Sequence, residues 1–407
     1  MLFAPLISSL FPRVPLAVPH WNRDTYRNIL QCLVSGSVVD GPQLASLKAQ
    51  IVATLGSADA LLTGSGSLAL ELALRACDVH SGDEVVLPTF CCTAVVPPIV
   101  AVGATPVLAD CGAELNLTSA TVEAVLTRKT KAAIVPHLFG NPAEIHRIVE
   151  LVRGRDIRVI DDAAQALGAT IDGQPVGSFG DAGILSFGAE KVCFGLGGGA
   201  LVSRREEFIQ KISQKSFSTP AFGPAIANLC STFFWRRLRR WTLPLRLALA
   251  PRPAAPDAAP APYRHESMSN LAAAVASSLM PTLDGNISAR RARVRAYREL
   301  LGNHSKVELI SHQSGSACLT QLIRVLPNHR DDDGAARMIA TLRAAGYEVQ
   351  GSYVPIHLMS SFHRCVWDRL PYAERAWADL VELPCEPSVS LTDVERIAAI
   401  VRSCAGK

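Results

Sequence analysis

The feature that most constrains this chain is a recurrence of short apolar runs between residues 60 and 202. They are Ala60-Leu61-Leu62, Val85-Val86-Leu87, Pro106-Val107-Leu108, Ala132 to Val135, Ile157 to Ile160, Ile184 to Phe187 and Ala200-Leu201-Val202. Each is short and largely apolar, with Arg158 and Ser186 the polar residues inside them, as a strand buried on both faces reads. Helical patterns sit between several of them, at 67–77, 92–102, 118–127 and 143–153. A further helix is expected at 40–55, where Leu44, Leu47, Ile51 and Leu55 share one stripe. Strands alternating with helices predict a largely parallel sheet covered on both faces, in one large α/β domain.

Beyond the last run the pattern changes. Residues 215–262 hold Phe233-Phe234-Trp235-Arg236-Arg237-Leu238-Arg239-Arg240-Trp241, followed by a Pro/Ala-rich stretch that ends at Pro262. The Pro/Ala stretch cannot sustain a helix. The segment 233–241 fits a helix at a subunit interface, with arginine stems on tryptophan rings. It also fits an amphipathic helix in peripheral contact with a membrane. From 266 the pattern is helical again. A long helix is expected over 268–300, broken near Pro281 and Gly285, with strands at 317–325 and 347–350 and helices at 332–345 and 391–404. The chain thus divides into a large α/β domain, 1–265, carrying the 215–262 insertion, and a small α+β domain, 266–407.

Composition narrows the function. The chain is 49% hydrophobic and only 19% charged over 407 residues, so it can bury a large core and is not a disordered protein. A net charge of +4 does not predict nucleic-acid binding, which normally needs a concentrated basic face, and no nucleic-acid partner is expected. Eleven cysteines include no CxxC pair and no Cys/His cluster at zinc spacing, so no metal is expected. They read as reduced, buried thiols of a cytoplasmic protein, and Cys91-Cys92 reads neither as a vicinal disulfide nor as a metal site. The apolar start, Met1 to Phe11, lacks a basic leader and is interrupted by Pro5, so it does not read as a secretory signal. No apolar run reaches the ~20 residues of a membrane-spanning helix. The nearest, Ala94 to Ala109, is broken by Pro97, Pro98, Gly103 and Pro106.

Three segments carry chemistry. Thr63-Gly64-Ser65-Gly66-Ser67 lies between an apolar run and a helix. Such a turn presents backbone N–H groups and the positive helix end to an anion, though small residues also serve tight turns alone. Asp161-Asp162 closes the run at 157–160, with Gln165 just beyond. Strand C-termini are where open α/β sheets bind ligands, and a buried carboxylate there needs a cation, such as a protonated pyridine nitrogen. Asp161 reads equally as a helix N-cap or a surface residue. Lys191 stands among glycines and apolar residues after a further strand, with Ser186 five residues earlier. Desolvation there would free the amine as a nucleophile or base.

Read in order, GSGSLALELALRA, GDEVVLP, GATPVLAD, VPHLFGNPAEI, VIDDAAQALGA, GSFGDAGILSF, Lys191 and GGGALV resemble the DegT/StrS-type aminotransferases. The resemblance runs from about residue 15 to 403 and includes GYEVQGSYVPIH and LTDVERIAAIVRS. It implies a fold-type I, aspartate aminotransferase-like enzyme that uses pyridoxal 5′-phosphate (PLP). It implies an amino-acid donor such as glutamate, a nucleotide-linked keto sugar as acceptor, and a homodimer with sites at the subunit interface. Lys191 matches the Schiff-base lysine, Asp162 the partner of the pyridinium nitrogen and Gln165 the neighbour of the ring hydroxyl. Gly66, Ser67, Ser186 and the N–H of Leu68 match the phosphate cup. His137 and His357 match motif positions that point to substrate contact. Cys92 stands where the family has an aromatic stacked on the cofactor ring, which leaves Phe90 as a substitute, and Val192 replaces the usual Asn. The second subunit's phosphate ligands have only His265 and Asn270 as stand-ins. Relatives that act as sugar dehydratases carry His at the lysine position, so Lys191 argues for transamination. A non-catalytic regulator, a cyclitol ketone or a lipid-linked sugar are the remaining alternatives.

Overall fold

The computed structural model describes residues 14–213, 217–237, 262–326 and 333–405, with only the backbone at Ser213 and at 235–237. Most of the basic-aromatic segment 233–241 therefore lies outside the described side chains; Phe233 and Phe234 are within them.

All seven apolar runs are strands of one sheet. They are β1 (Asp59–Thr63), β2 (Glu84–Pro88), β3 (Thr105–Ala109), β4 (Thr130–Pro136), β5 (Arg158–Asp162), β8 (Ala182–Ser186) and β9 (Gly199–Ser203). A two-residue hairpin, β6 (Thr170–Ile171) with β7 (Gln174–Pro175), sits between β5 and β8. The sheet order is β1-β9-β8-β5-β4-β2-β3. Strand β9 runs antiparallel to both its neighbours, and the other pairings are parallel. Parallel strands end on one edge of the sheet, so the C-termini of β4, β5 and β8 come together there.

The helix Gly66–Ala76 lies against this sheet with Leu68 through Leu74 buried. The helix expected over 118–127 is shorter, Ser119–Glu123, and is started by a Thr118–Thr121 capping box. The long C-terminal helix is interrupted at Pro281 by a 3₁₀ turn, Met280–Thr282. It continues unbroken through Gly285 as Leu283–Leu301. Proline removes a donor and clashes with the preceding turn, whereas one glycine costs only about 1 kcal/mol.

A second sheet of four antiparallel strands follows, in the order β10 (Val307–Leu309), β11 (Gln321–Val325), β13 (Leu380–Leu383), β12 (Gln350–Gly351). The strand expected over 317–325 starts only at Gln321, because Ala317 and Leu319 turn aside to donate to the carbonyls of Gly140 and Phe139. The strand expected over 347–350 shrinks to Gln350–Gly351. The helix Asn270–Leu279 is buried at all ten positions, in one core with Ile29, Leu47 and Ile51 of the large unit. Among the described residues no helix is long and apolar enough to cross a membrane.

Candidate active site

The converging strand ends and the start of the helix Gly66–Ala76 enclose an open cavity of about 280 Å³. Gly66, Ser67, Cys92, His137, Asp162, Gln165, Ser186 and Lys191, from five separate segments, all line it.

One end is a cup for an anion. Ser65 caps the helix, its Oγ accepting the Leu68 N–H at 3.1 Å. The Leu68 donor expected in the cup is thus used within the helix, and Leu68 does not line the cavity. A Cβ on Gly66 would lie 3.2 Å from Cβ of Ser186, and one on Gly199 only 2.6 Å from N of Gly66. Helix start, β8 end and β9 start therefore meet at a distance that only glycine permits. The Ser67 hydroxyl donates to the Ala94 carbonyl at 3.3 Å, and the Gly188 N–H reaches Ser186 Oγ at 3.5 Å. With the helix dipole behind them, these two hydroxyls suit a phosphate.

Asp162 faces the cavity and is 7% exposed. Its Oδ1 accepts the Ala164 N–H at 3.0 Å, and no cation lies within ion-pair distance among the described residues. Burial raises its pKa, while the Ala164 N–H and the charge of Lys191 pull it back down. A buried carboxylate with one hydrogen bond and no paired cation is suited to a ligand cation.

Asp161 is neither a helix cap nor a surface residue. Successive strand residues point to opposite faces, so Asp161 turns away from the cavity and is fully buried. It accepts from His137 Nε2 at 2.7 Å and from the Phe179 N–H at 2.9 Å. The Ala143 N–H donates to His137 Nδ1 at 2.9 Å, which places the ring proton on Nε2. His137 thus lines the cavity with both nitrogens already engaged, as a buried brace between β4 and β5.

Gln165 is held at both ends: Oε1 accepts the Phe139 N–H at 3.0 Å and Nε2 donates to the Tyr353 hydroxyl at 3.1 Å. Tyr353 was not singled out from the sequence. It comes from the C-terminal unit, and burial holds its hydroxyl pKa well above the ordinary value. Its ring packs 6.0 Å from that of Phe90 and 5.6 Å from that of Phe139. Phe90 is fully buried in this ring cluster and does not line the cavity, so it is no substitute for the stacking aromatic. Cys92 lines the cavity itself.

Lys191 follows Glu190, whose φ of 65° is unusual for a side chain of this kind. Among the described residues the Lys191 amine has no hydrogen-bond or ion-pair partner, which leaves it available to a ligand.

Three further candidates do not line this cavity. His357 does not line the cavity; its Nδ1 pairs with Thr89 Oγ1 at 2.7 Å and its Nε2 lies 3.3 Å from Glu374. Burial lowers its pKa against the pull of Glu374. Asn270 is fully buried, donating to the Ser37 carbonyl at 2.6 Å and accepting the Gln43 N–H at 2.9 Å. Those bonds engage both ends of its amide within this chain. His265 is 60% exposed and lies 3.2 Å from Glu71.

The residues present fit PLP: an unpaired amine, a buried carboxylate awaiting a cation, and an anion cup at one end. On this edge of a mostly parallel sheet, such a site defines a fold-type I PLP-dependent transferase. The chain belongs to the DegT/DnrJ/EryC1/StrS aminotransferase family, whose model matches residues 20–402. A UDP-N-acetyl-3-dehydro-alpha-D-glucosamine 3-aminotransferase from Acidithiobacillus ferrooxidans is 43% identical over 171 residues, 42% of this chain and 46% of that protein. The match thus spans about half the length of that relative. GDP-perosamine synthase of Caulobacter vibrioides is 26% identical over 95% of this chain and 97% of its own. The structure of the aminotransferase TlmJ from Streptoalloteichus hindustanus superposes with a TM-score of 0.77 at 25% identity, covering 97% of this chain and 99% of that one.

Proposed function

We propose that this protein is a PLP-dependent aminotransferase that converts a keto sugar, carried on a nucleotide, to an amino sugar with an amino acid such as glutamate as donor. The observation that carries this is the shared cavity: Lys191, Asp162 and the Gly66–Ser67–Ser186 cup face one space. When bound, PLP supplies a carbonyl that an amine can hold covalently and a pyridinium that draws electrons from the carbon being deprotonated. Lys191 Nζ is the attachment point and, once released, takes and returns the proton at the reacting carbon. The Asp162 carboxylate holds the ring nitrogen protonated, and Gln165 positions the ring hydroxyl. Ser67, Ser186 and the helix start hold the phosphate. The nucleotide carrier is supported by the UDP- and GDP-sugar names of the two relatives. A dehydratase is disfavoured by the lysine at 191.

The same reading takes the enzyme as a homodimer, with His265 the remaining candidate to reach the partner's phosphate, and as cytoplasmic. All eleven cysteines are free thiols, which suits a reducing compartment.

The test is Lys191→Ala. Wild-type protein should purify yellow and fix the cofactor to Lys191 on borohydride reduction, located by peptide mass. The variant should lose the colour, the adduct and turnover of a UDP- and GDP-keto-sugar panel, while keeping its circular dichroism. A reducible adduct at another lysine, or full activity in the variant, would falsify the assignment.

A further inference from the structure

The edge of the sheet opposite the active site carries a second cavity, of about 400 Å³. It opens at the N-terminal ends of β5 and β8 and beyond the C-terminus of the antiparallel β9. Five arginines line it: Arg153, Arg155, Arg158, Arg204 and Arg205. Asp181 is the only acid in the lining. Arg158 and Arg205 share one oxygen of Asp181, at 3.3 and 3.2 Å. The other oxygen accepts the Val159 N–H at 3.0 Å. Arg153 is drawn to Glu150 at 2.6 Å. Arg155 and Arg204 have no carboxylate partner among the described residues.

Five guanidinium groups thus face two carboxylates. An arginine stays charged at any physiological pH, so this excess cannot be relieved by losing protons. It can be relieved by an anion, and the planar guanidinium fork pairs with phosphate oxygens two at a time. The wall beside the arginines is apolar, formed by Val149, Val152, Ile157 and Phe179. Such a wall lowers the local dielectric and strengthens the attraction.

We propose that this arginine cleft is a second ligand site, which binds a diphosphate-bearing small molecule at Arg155 and Arg204. It stands whatever the reaction at Lys191. The cleft is separated from the active site by the length of β5, about 13 Å from Arg158 to Asp162 at the usual rise per residue. It is also tied to that site. Phe179 in the cleft wall donates its N–H to Asp161, which holds His137 in the active-site lining. Occupancy that competes for Arg158 and Arg205 would loosen their hold on Asp181 and so act on the start of the strand that ends at Asp162.

The experiment is pyrophosphate titration of the holoenzyme by calorimetry, repeated on Arg155→Gln/Arg204→Gln. Both arginines are exposed and remote from the active site, so the variant should keep wild-type transaminase activity. It should bind pyrophosphate at least tenfold more weakly. UDP should compete with pyrophosphate and uridine should not, which separates the phosphates from the base as the recognised group. In wild-type protein, pyrophosphate should slow phenylglyoxal modification of Arg155 and Arg204 but not of exposed Arg364, read by peptide mass. Pyrophosphate binding within twofold of wild type in the variant, equal competition by uridine, or no protection of the two arginines would overturn the proposal.

Discussion

Glu382→Gln probes a carboxyl group beside the active site that burial has displaced from its ordinary behaviour. Glu382 lies on β13, is 7% exposed and accepts from Gln350 Nε2 at 3.1 Å. Burial, with the charge of Glu190 adding to it, pushes its pKa from 4.5 up to about 7. At about 1.4 kcal/mol per pKa unit, that displacement corresponds to a pH-dependent stability of about 3 kcal/mol. The folded protein holds this proton more tightly than the unfolded chain. Its contribution is therefore complete below the unfolded pKa of 4.5 and is lost as pH rises through about 7. Glutamine keeps the shape and an accepting oxygen but carries no such proton. The stability of Glu382→Gln relative to wild type should therefore rise by up to about 3 kcal/mol between about pH 5 and about pH 8. Paired denaturant midpoints across that range measure it. A difference that stays constant with pH would refute the reasoning. Because the charge of Glu382 also acts on the Tyr353 hydroxyl, which holds Gln165, the variant should flatten any limb of the wild-type activity profile near pH 7.

The other predictions concern the cavity directly. Asp162→Asn should lower kcat about 100-fold or more, about 3 kcal/mol of barrier, with little change in melting temperature. Asp161→Asn should act mainly on stability, since an amide turns an N–H toward either His137 or Phe179 and leaves one donor unmet, at about 1–3 kcal/mol. Equal effects of the two on kcat at unchanged stability would move the pyridinium partner out of Asp162. Gly199→Ala places a Cβ 2.6 Å from N of Gly66 and should open the anion cup. The expected result is weaker retention of PLP on dialysis, with Lys191 still modifiable; retention equal to wild type would show that the cup has slack.

The large sheet was legible because its strands are buried on both faces, which writes them as largely apolar runs. The two strands of the second sheet that went unread, β10 and β13, contain Val-Glu-Leu and Leu-Val-Glu-Leu, short stretches with a charge inside. Their order comes from pairing with β11, not from their own pattern. Asp162 and Ser186 could be picked out because each closes a readable strand, and Lys191 because it stands five residues beyond one. Tyr353 could not, because its bond to Gln165 joins positions 188 residues apart. It nevertheless stands four residues before His357, in the same YVPIH stretch that drew attention to the histidine. The displacement of Asp161 was available from strand alternation, since two adjacent aspartates on one strand cannot both face the ligand.

Cys92 changes how the cavity must grip its ligand. Among its lining residues the only aromatic ring is that of His137, and both of its nitrogens are engaged. The rings that do cluster nearby, Phe90, Phe139 and Tyr353, pack against one another instead of facing the cavity. On the proposed assignment, binding strength would rest on the polar ends: the cup at Gly66, Ser67 and Ser186, Asp162 at the other pole, and Gln165 between. The cup and Asp162 are set by elements of the large unit. Gln165 differs, because one of its two bonds is to Tyr353 of the C-terminal unit. On the proposed assignment, a shift of that unit relative to the large sheet would move the Tyr353 hydroxyl, and with it the Gln165 amide.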